Sequence, residues 1–139
     1  MKILALDLGD VYTGTAISDS LGIIAIPLKT VQTNDLEDFL KKAIEKENIK
    51  TILIGYPKTM KGTISIQTQK IIDFEKAYKI KFPEINWVFW DERLTSKRAE
   101  SFKKSKEKDD KLRLHSVAAA LILETYLQYL QNKRLEEEI

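Results

Sequence analysis

Three short, nearly continuous apolar runs constrain this chain most. Residues 2–8 read KILALDL, residues 51–55 TILIG and residues 85–90 INWVFW. Runs of that length without polar alternation suit strands buried on both faces. Helical periodicity precedes the second and the third run. Strands joined through helices are parallel neighbours, and their crossovers are right-handed.

Two more strands are predicted between the first run and the first helix. They cover residues 13–19 (TGTAISD) and 23–31 (IIAIPLKTV), around a turn at Leu21-Gly22. Short links make these an antiparallel meander. Pro27 lacks an N–H for a sheet ladder, which places the third strand at an edge. Asn34 with Glu37 forms an N-cap pattern. Leu36, Phe39, Leu40, Ala43 and Ile44 then recur at helical spacing. A second helix is predicted over 65–79, bounded by Pro83. A short helix follows from Thr95 or Ser96. Residues 103–112, KKSKEKDDKL, are poor in apolar residues and read as mobile. The last helix starts near Leu114, with Leu114, Val117, Ala118, Leu121 and Ile122 as its buried stripe. Trp87, Phe89, Trp90, Tyr126 and Tyr129 read as core.

The order β-β-β-α-β-α-β-α-α predicts an α/β fold. Its mixed five-stranded sheet combines an antiparallel meander with two parallel strands and is flanked by helices. That order describes the ribonuclease H-like fold, with the first strand near the centre. One domain covers residues 1–139, with 132–139 a frayed tail that contains Glu136, Glu137 and Glu138.

Composition narrows the chemistry. The chain has 43% hydrophobic and 32% charged residues, a globular balance. It has no cysteine and one histidine, which excludes thiol nucleophiles and multi-histidine metal sites. Any metal must be held mostly by carboxylates, which favours Mg²⁺ or Mn²⁺. No apolar stretch approaches the ~20 residues of a membrane span, and Asp7 interrupts the apolar start. A cytoplasmic protein without membrane contact is expected.

Asp7 ends a buried strand, where an unpartnered carboxylate is costly. Gly9, Thr13, Gly14 and Thr15 follow it, a turn that can bring N–H groups and hydroxyls to a phosphate. The alternative is that Asp7 merely caps the turn. Asp-x-Gly also occurs in actin-like sugar kinases and chaperone ATPases, but those need two large lobes. Asp91, Glu92 and Arg93 close the third apolar run. Carboxylates at the C-terminal ends of neighbouring parallel strands converge at one sheet edge. Asp91 and Glu92 point to opposite faces while the strand continues, so one of them is the ligand, and the sequence leaves open which. His115, in the first turn of the last helix, is a metal ligand or general base, or a partly exposed helix-start histidine.

The net charge is only +2, but residues 97–113 hold eight basic against four acidic side chains. Lys97 and Arg98 begin that stretch beside Asp91 and Glu92. Facing the acids, it becomes a phosphate-backbone contact. Lys58 and Lys61, in the loop over 57–63, follow the strand expected beside the first and could reach the same edge.

The chain resembles the YqgF family, also called RuvX, over about residues 2–131. Ile3-Leu4-Ala5-Leu6-Asp7-Leu8-Gly9 resembles the family's opening strand and Asp-x-Gly. Gly14-Thr15-Ala16-Ile17-Ser18-Asp19, Leu21-Gly22 and Pro27-Leu28 resemble the meander. Ile54-Gly55-Tyr56-Pro57 and Met60-Lys61-Gly62-Thr63 resemble its Gly-x-Pro…Met-x-Gly loop. Asp91-Glu92-Arg93-Leu94-Thr95-Ser96 matches its signature without a gap, and the run from Ser116 through Glu124, with Tyr126-Leu127, resembles its last helix.

The resemblance implies a ribonuclease H-like nuclease acting on structured nucleic acid. Processing of the 5′ end of pre-16S ribosomal RNA ranks first, and Holliday junction resolution on branched DNA second. The expected catalytic and metal-binding set is Asp7 with Glu92 or Asp91, completed by His115. Gly9, Tyr12, Thr13, Lys58, Lys61, Arg93, Lys97 and Arg98 are expected to bind substrate. Two positions depart from the family: Tyr12 replaces an arginine and His115 an aspartate. Tyr12 could stack on a base, and histidine can ligate Mn²⁺ or accept a proton. A nucleic-acid-binding factor without catalysis is the rival, and the chain acts as a monomer or a homodimer.

Overall fold

The computed structural model describes residues 1–56, 65–92 and 108–138. Five strands form one sheet: β1 (Lys2–Asp7), β2 (Tyr12–Ser18), β3 (Ala25–Gln32), β4 (Ile49–Tyr56) and β5 (Asn86–Asp91). Their order is β3-β2-β1-β4-β5, which puts β1 at the centre. β1 is antiparallel to β2 and parallel to β4, and β4 is parallel to β5. The mixed sheet and its helices are the predicted architecture.

Helices α1 (Leu36–Glu47) and α2 (Ile66–Lys81) cover one face. Leu4, Leu6, Ile17, Ile52 and Ile54 of the sheet meet Leu36, Leu40 and Ile71 there. Burying each such side chain stabilises the fold by about 1.5–3 kcal/mol. Helix α3 (Lys108–Glu137) covers the other face. There the sheet presents small residues, Ala5 and Ala16 beside Leu53, to Ala119, Ala120, Ile122, Leu123 and Leu127. Small against small brings α3 close to the strands.

Several local expectations change. Asn34 lies inside a 3-10 turn over Thr33–Asp35, and α1 starts one residue after it at Leu36. The chain is pinned at Thr33, whose N–H donates to Val11 (2.8 Å) and whose hydroxyl donates to the Gly9 carbonyl (2.7 Å). The turn tightens there and no side chain caps α1. Ser65 does cap α2, its Oγ accepting from the Thr68 N–H at 3.1 Å. That helix continues to Lys81, two residues short of Pro83.

Pro27 does sit on an edge strand, but β5 is the other edge and not a buried strand. No residue of β5 is fully buried, and among the described residues no strand pairs with its outer side. Trp87 packs toward α2, while Trp90 and Tyr126 pack with the α3 layer; Phe89 and Tyr129 are exposed. Trp90 also donates to the Thr125 hydroxyl at 2.8 Å, tying β5 to α3.

The last helix differs most. It begins at Lys108, so residues 108–112 are helical, and it runs through Glu137, so the acidic tail continues the helix. His115 therefore sits in the third turn. The buried stripe is Ser116, Ala119, Ala120, Ile122, Leu123 and Leu127; only Ile122 of the predicted stripe belongs to it. Residues 117–123 are apolar on every side, so periodicity could not select the face.

Candidate active site

Asp7 is the last residue of β1 and shares the α3 face with Ala5. Two glycines flank it across the sheet. Gly14 of β2 is its partner in the antiparallel ladder. Gly55 of β4 is one step beyond the Leu6–Ile54 pair of the parallel ladder. Both spare the room that a side chain would fill, though for different neighbours.

At Gly14 the neighbour is α3 itself. A Cβ there would lie 1.8 Å from the His115 carbonyl oxygen and 2.7 Å from the Ser116 nitrogen. The helix backbone rests directly on the sheet beside Asp7. The Thr30 hydroxyl donates to the Leu112 carbonyl, fixing the same stretch of α3 to β3. The His115 imidazole then projects toward Asp7, with Nδ1 4.0 Å from Oδ2. That is a charge-range contact, longer than a hydrogen bond. The Tyr12 ring stands 6.2 Å from the imidazole, centroid to centroid.

At Gly55 the neighbour is Glu92. A Cβ there would lie 3.1 Å from Glu92 Cγ and 3.2 Å from its Oε1, and 2.5 Å from Ile122 Cδ1. Glu92 thus folds over β4 on the α3 face, the face of Asp7 and His115. Asp91 alternates to the face of Trp87, which packs with the α1–α2 layer. Geometry separates the two acids that the sequence left equivalent.

Burial holds the His115 imidazole below its ordinary 6.5, so it is neutral at pH 7. Asp7 keeps 22% of its side-chain surface exposed and His115 40%, so solvent and a ligand can reach both. Two carboxylates and a neutral imidazole suit a hard or borderline divalent ion. Gly55 leaves the space that Glu92 needs to join them. Among the described residues no three such groups already close around a single point.

The remaining sequence candidates divide. Tyr12 lies on the site's face. Gly9 is needed for the β1–β2 turn, where a Cβ would meet the Tyr12 carbonyl oxygen at 2.3 Å. Thr13 is fully buried, and its hydroxyl bonds that of Thr33 at 2.9 Å. Thr15 is also fully buried, its hydroxyl donating to the Lys29 carbonyl at 2.6 Å. Both point to the face opposite Asp7, because strand alternation groups them with Ile17. Lys58, Lys61, Arg93, Lys97, Arg98 and the helix predicted from Thr95 or Ser96 lie outside the described residues. The flanking roles of Gly14 and Gly55 escaped the sequence. Glycine inside a strand signals close approach of another backbone, and that cue was available at both positions.

The family model described as RuvX, Holliday junction resolvase, matches residues 1–129. The chain belongs to the RuvX family. A relative from Rubrobacter xylanophilus is 34% identical over 128 residues, covering 91% of this chain and 92% of the relative. One from Christiangramia forsetii is 40% identical over 131 residues, covering 91% and 97%. Both carry the provisional name pre-16S rRNA nuclease. The fold is that of RuvC from Thermus thermophilus, solved with a Holliday junction substrate: TM-score 0.59, 9% identity, 94% of this chain and 96% of that one. The fowlpox virus resolvase, solved with Holliday junction DNA, gives TM-score 0.55 at 16% identity, over 94% and 99%. The ribonuclease H-like architecture expected of a RuvX chain is thereby shown. No helix among the described residues is long and apolar enough to cross a membrane.

Proposed function

We propose that this RuvX chain is a metal-dependent endonuclease that hydrolyses phosphodiesters in structured nucleic acid, with the 5′ end of pre-16S rRNA as substrate. The observation that carries it is the gathering of Asp7, Glu92 and His115 on one face at the C-terminal edge of the sheet, with Gly14 and Gly55 clearing the space around them. The rRNA reading rests on the names of the curated relatives. On that reading we propose that the protein works in the cytoplasm.

Hydrolysis needs a water oxygen to attack phosphorus, a proton acceptor for that water, and charge to stabilise the leaving oxygen. A divalent ion such as Mg²⁺ or Mn²⁺, held by Asp7 and Glu92, would supply that charge and acidify water. Asp7 ends β1 and Glu92 follows β5, two parallel strands with β4 between them. The neutral His115 imidazole has a lone pair available, either for the water's proton or as a nitrogen ligand. Its 4.0 Å approach to Asp7 lets the carboxylate stabilise the imidazolium once the proton arrives. Tyr12, beside it, offers a ring on which a base can stack. Asp91 contributes no ligand in this scheme. Lys58, Lys61, Arg93, Lys97 and Arg98 are proposed phosphate contacts.

The deciding experiment offers labelled pre-16S leader RNA and a four-way DNA junction side by side, with Mg²⁺ or Mn²⁺ and Asp7→Asn as control. Asp7-dependent cutting of the RNA supports the proposal. Cutting of the junction alone replaces it with resolution, which the family description and the two resolvase folds favour as the second reading. Paired symmetric cuts then demand a two-fold dimer. Binding without cutting under either ion leaves a non-catalytic binding factor.

A further inference from the structure

A separate cleft opens at the same end of the sheet, between the β1–β2 turn and α2. Its volume is about 160 Å³. That is too small for a drug-sized ligand, whose sites run to several hundred Å³, but it admits one planar heterocycle. Leu8, Ile71 and Phe74 form its apolar walls, and Asp10, Gln67 and Lys70 its polar rim. We propose that this cleft holds one unstacked guanine base of the bound strand, an inference that rests on the nucleic-acid reading above.

Position supports it. Leu8 follows Asp7 directly and packs into the α1–α2 layer, on the sheet face opposite Asp7. Asp10 is three residues beyond Asp7 in the turn, so at ~3.3–3.6 Å per residue it lies at most about 10 Å from it. That is about three stacked nucleotides at 3.4 Å each. A strand crossing the C-terminal edge of the sheet can therefore leave its phosphate on the α3 side and turn a base over the edge onto the α2 side.

The rim chemistry selects the base. The Lys70 ammonium stands 3.1 Å from an Asp10 carboxylate oxygen. Both side chains are well exposed, 60% and 77%, so their pairing adds little to the stability of the fold. Side by side they present an acceptor with two oxygens next to a donor. Guanine alone among the four bases carries two adjacent donors, N1–H and the N2 amine, with the O6 acceptor beside them. The carboxylate can take both donors while the ammonium meets O6. The Gln67 amide can serve either kind of group. Phe74 offers a ring surface at the wall, and base–aromatic contact is tolerant of sequence, so the rim carries the discrimination.

The test uses the full chain in metal-free buffer, with short single-stranded RNAs of alternating adenine and uracil that differ in one central base. Fluorescence anisotropy reads the affinity. The strand with central guanine should bind about tenfold more tightly than strands with adenine, cytosine, uracil or an abasic site there. Inosine, which lacks the N2 amine, should lose most of that preference. Asp10→Asn should bring all the strands to within about twofold while still binding the adenine strand. Loss of a surface charge alone would shift every strand together and leave the ratio unchanged. Equal affinity for all strands in the wild-type chain, or a preference that survives Asp10→Asn, overturns the guanine cleft and leaves the nuclease reading standing. Displacement of the guanine strand by equimolar free GMP assigns the cleft to a mononucleotide and also overturns it. Failure to bind any strand also overturns the guanine cleft, while the cleavage assay on leader RNA and the four-way junction decides the nuclease reading separately.

Discussion

Gly14 pairs with Asp7 across the β1–β2 ladder, and the His115 carbonyl occupies the place its side chain would take. One glycine therefore couples the central carboxylate to the helix that delivers the imidazole. The close approach is backbone against backbone, so neither side can yield by rotating a side chain.

Gly14→Ala should consequently lift α3 from the sheet. Overpacking of this kind costs about 1–3 kcal/mol, enough to lower the melting temperature by several degrees for a domain of this size. Circular dichroism melts read the stability and the cleavage assay reads the site. Cleavage should fall by at least about tenfold, because small displacements of reacting groups are costly. An unchanged melting temperature would show that the helix does not need this seat.

Gly55→Ala should behave differently. The nearest atom to the new methyl is Ile122 Cδ1, the end of a flexible side chain, and the next are Glu92 Cγ and Oε1. Ile122 can turn away at modest cost, but Glu92 cannot keep its place over β4. Activity should drop about tenfold or more, while stability falls by about 1 kcal/mol or less. Denaturant unfolding beside cleavage rates separates the two effects. A large loss of stability with activity retained would reverse this assignment.

The two neighbouring acids should also separate. Glu92→Gln removes a carboxylate from the face of Asp7 and His115 and should reduce cleavage by about a hundredfold or more. Asp91→Asn, on the opposite face, should stay within about threefold of the parent. Single-turnover rates at saturating metal make the comparison. Equal losses would mean that the β5 end twists enough to bring both acids into the site.

Much of this arrangement was legible in the sequence, and the gaps have physical causes. Uninterrupted apolar runs marked β1 and β4 because both sheet faces are buried there. INWVFW was read as buried by the same rule, but its aromatic bulk serves an edge strand with partial cover. Asp7 stood out because a carboxylate closed a buried run. The choice between Asp91 and Glu92 needed the end of β5, since alternation says that two neighbours diverge and not which one faces the site. The α3 face was misjudged because residues 117–123 are apolar all round. What selects the face is the paired smallness of Gly14, Ala16, Ser116 and Ala119, a property of two elements together. Thr13 carries the polar signature of a phosphate loop, yet its hydroxyl is spent inside the fold on Thr33.

His115 is the only histidine of the chain, so its imidazole resonances need no assignment. Desolvation on burial disfavours the imidazolium and holds the folded-state pKa below 6.5. As pH falls, the unfolded chain therefore takes up this proton first. The stability linked to His115 is present above 6.5 and is lost as pH falls through 6.5 toward the folded-state value. Proton NMR of the metal-free protein should show the titration midpoint below 6.5, and His115→Gln should flatten the corresponding part of the stability–pH curve. Asp7→Asn sharpens the test. Removing the carboxylate 4.0 Å away takes away an attraction for the imidazolium, so the midpoint should move further down. A midpoint above 6.5 that falls back in Asp7→Asn would instead mean that the Asp7 charge outweighs burial, leaving His115 protonated in the acid range where the proposed mechanism needs it neutral.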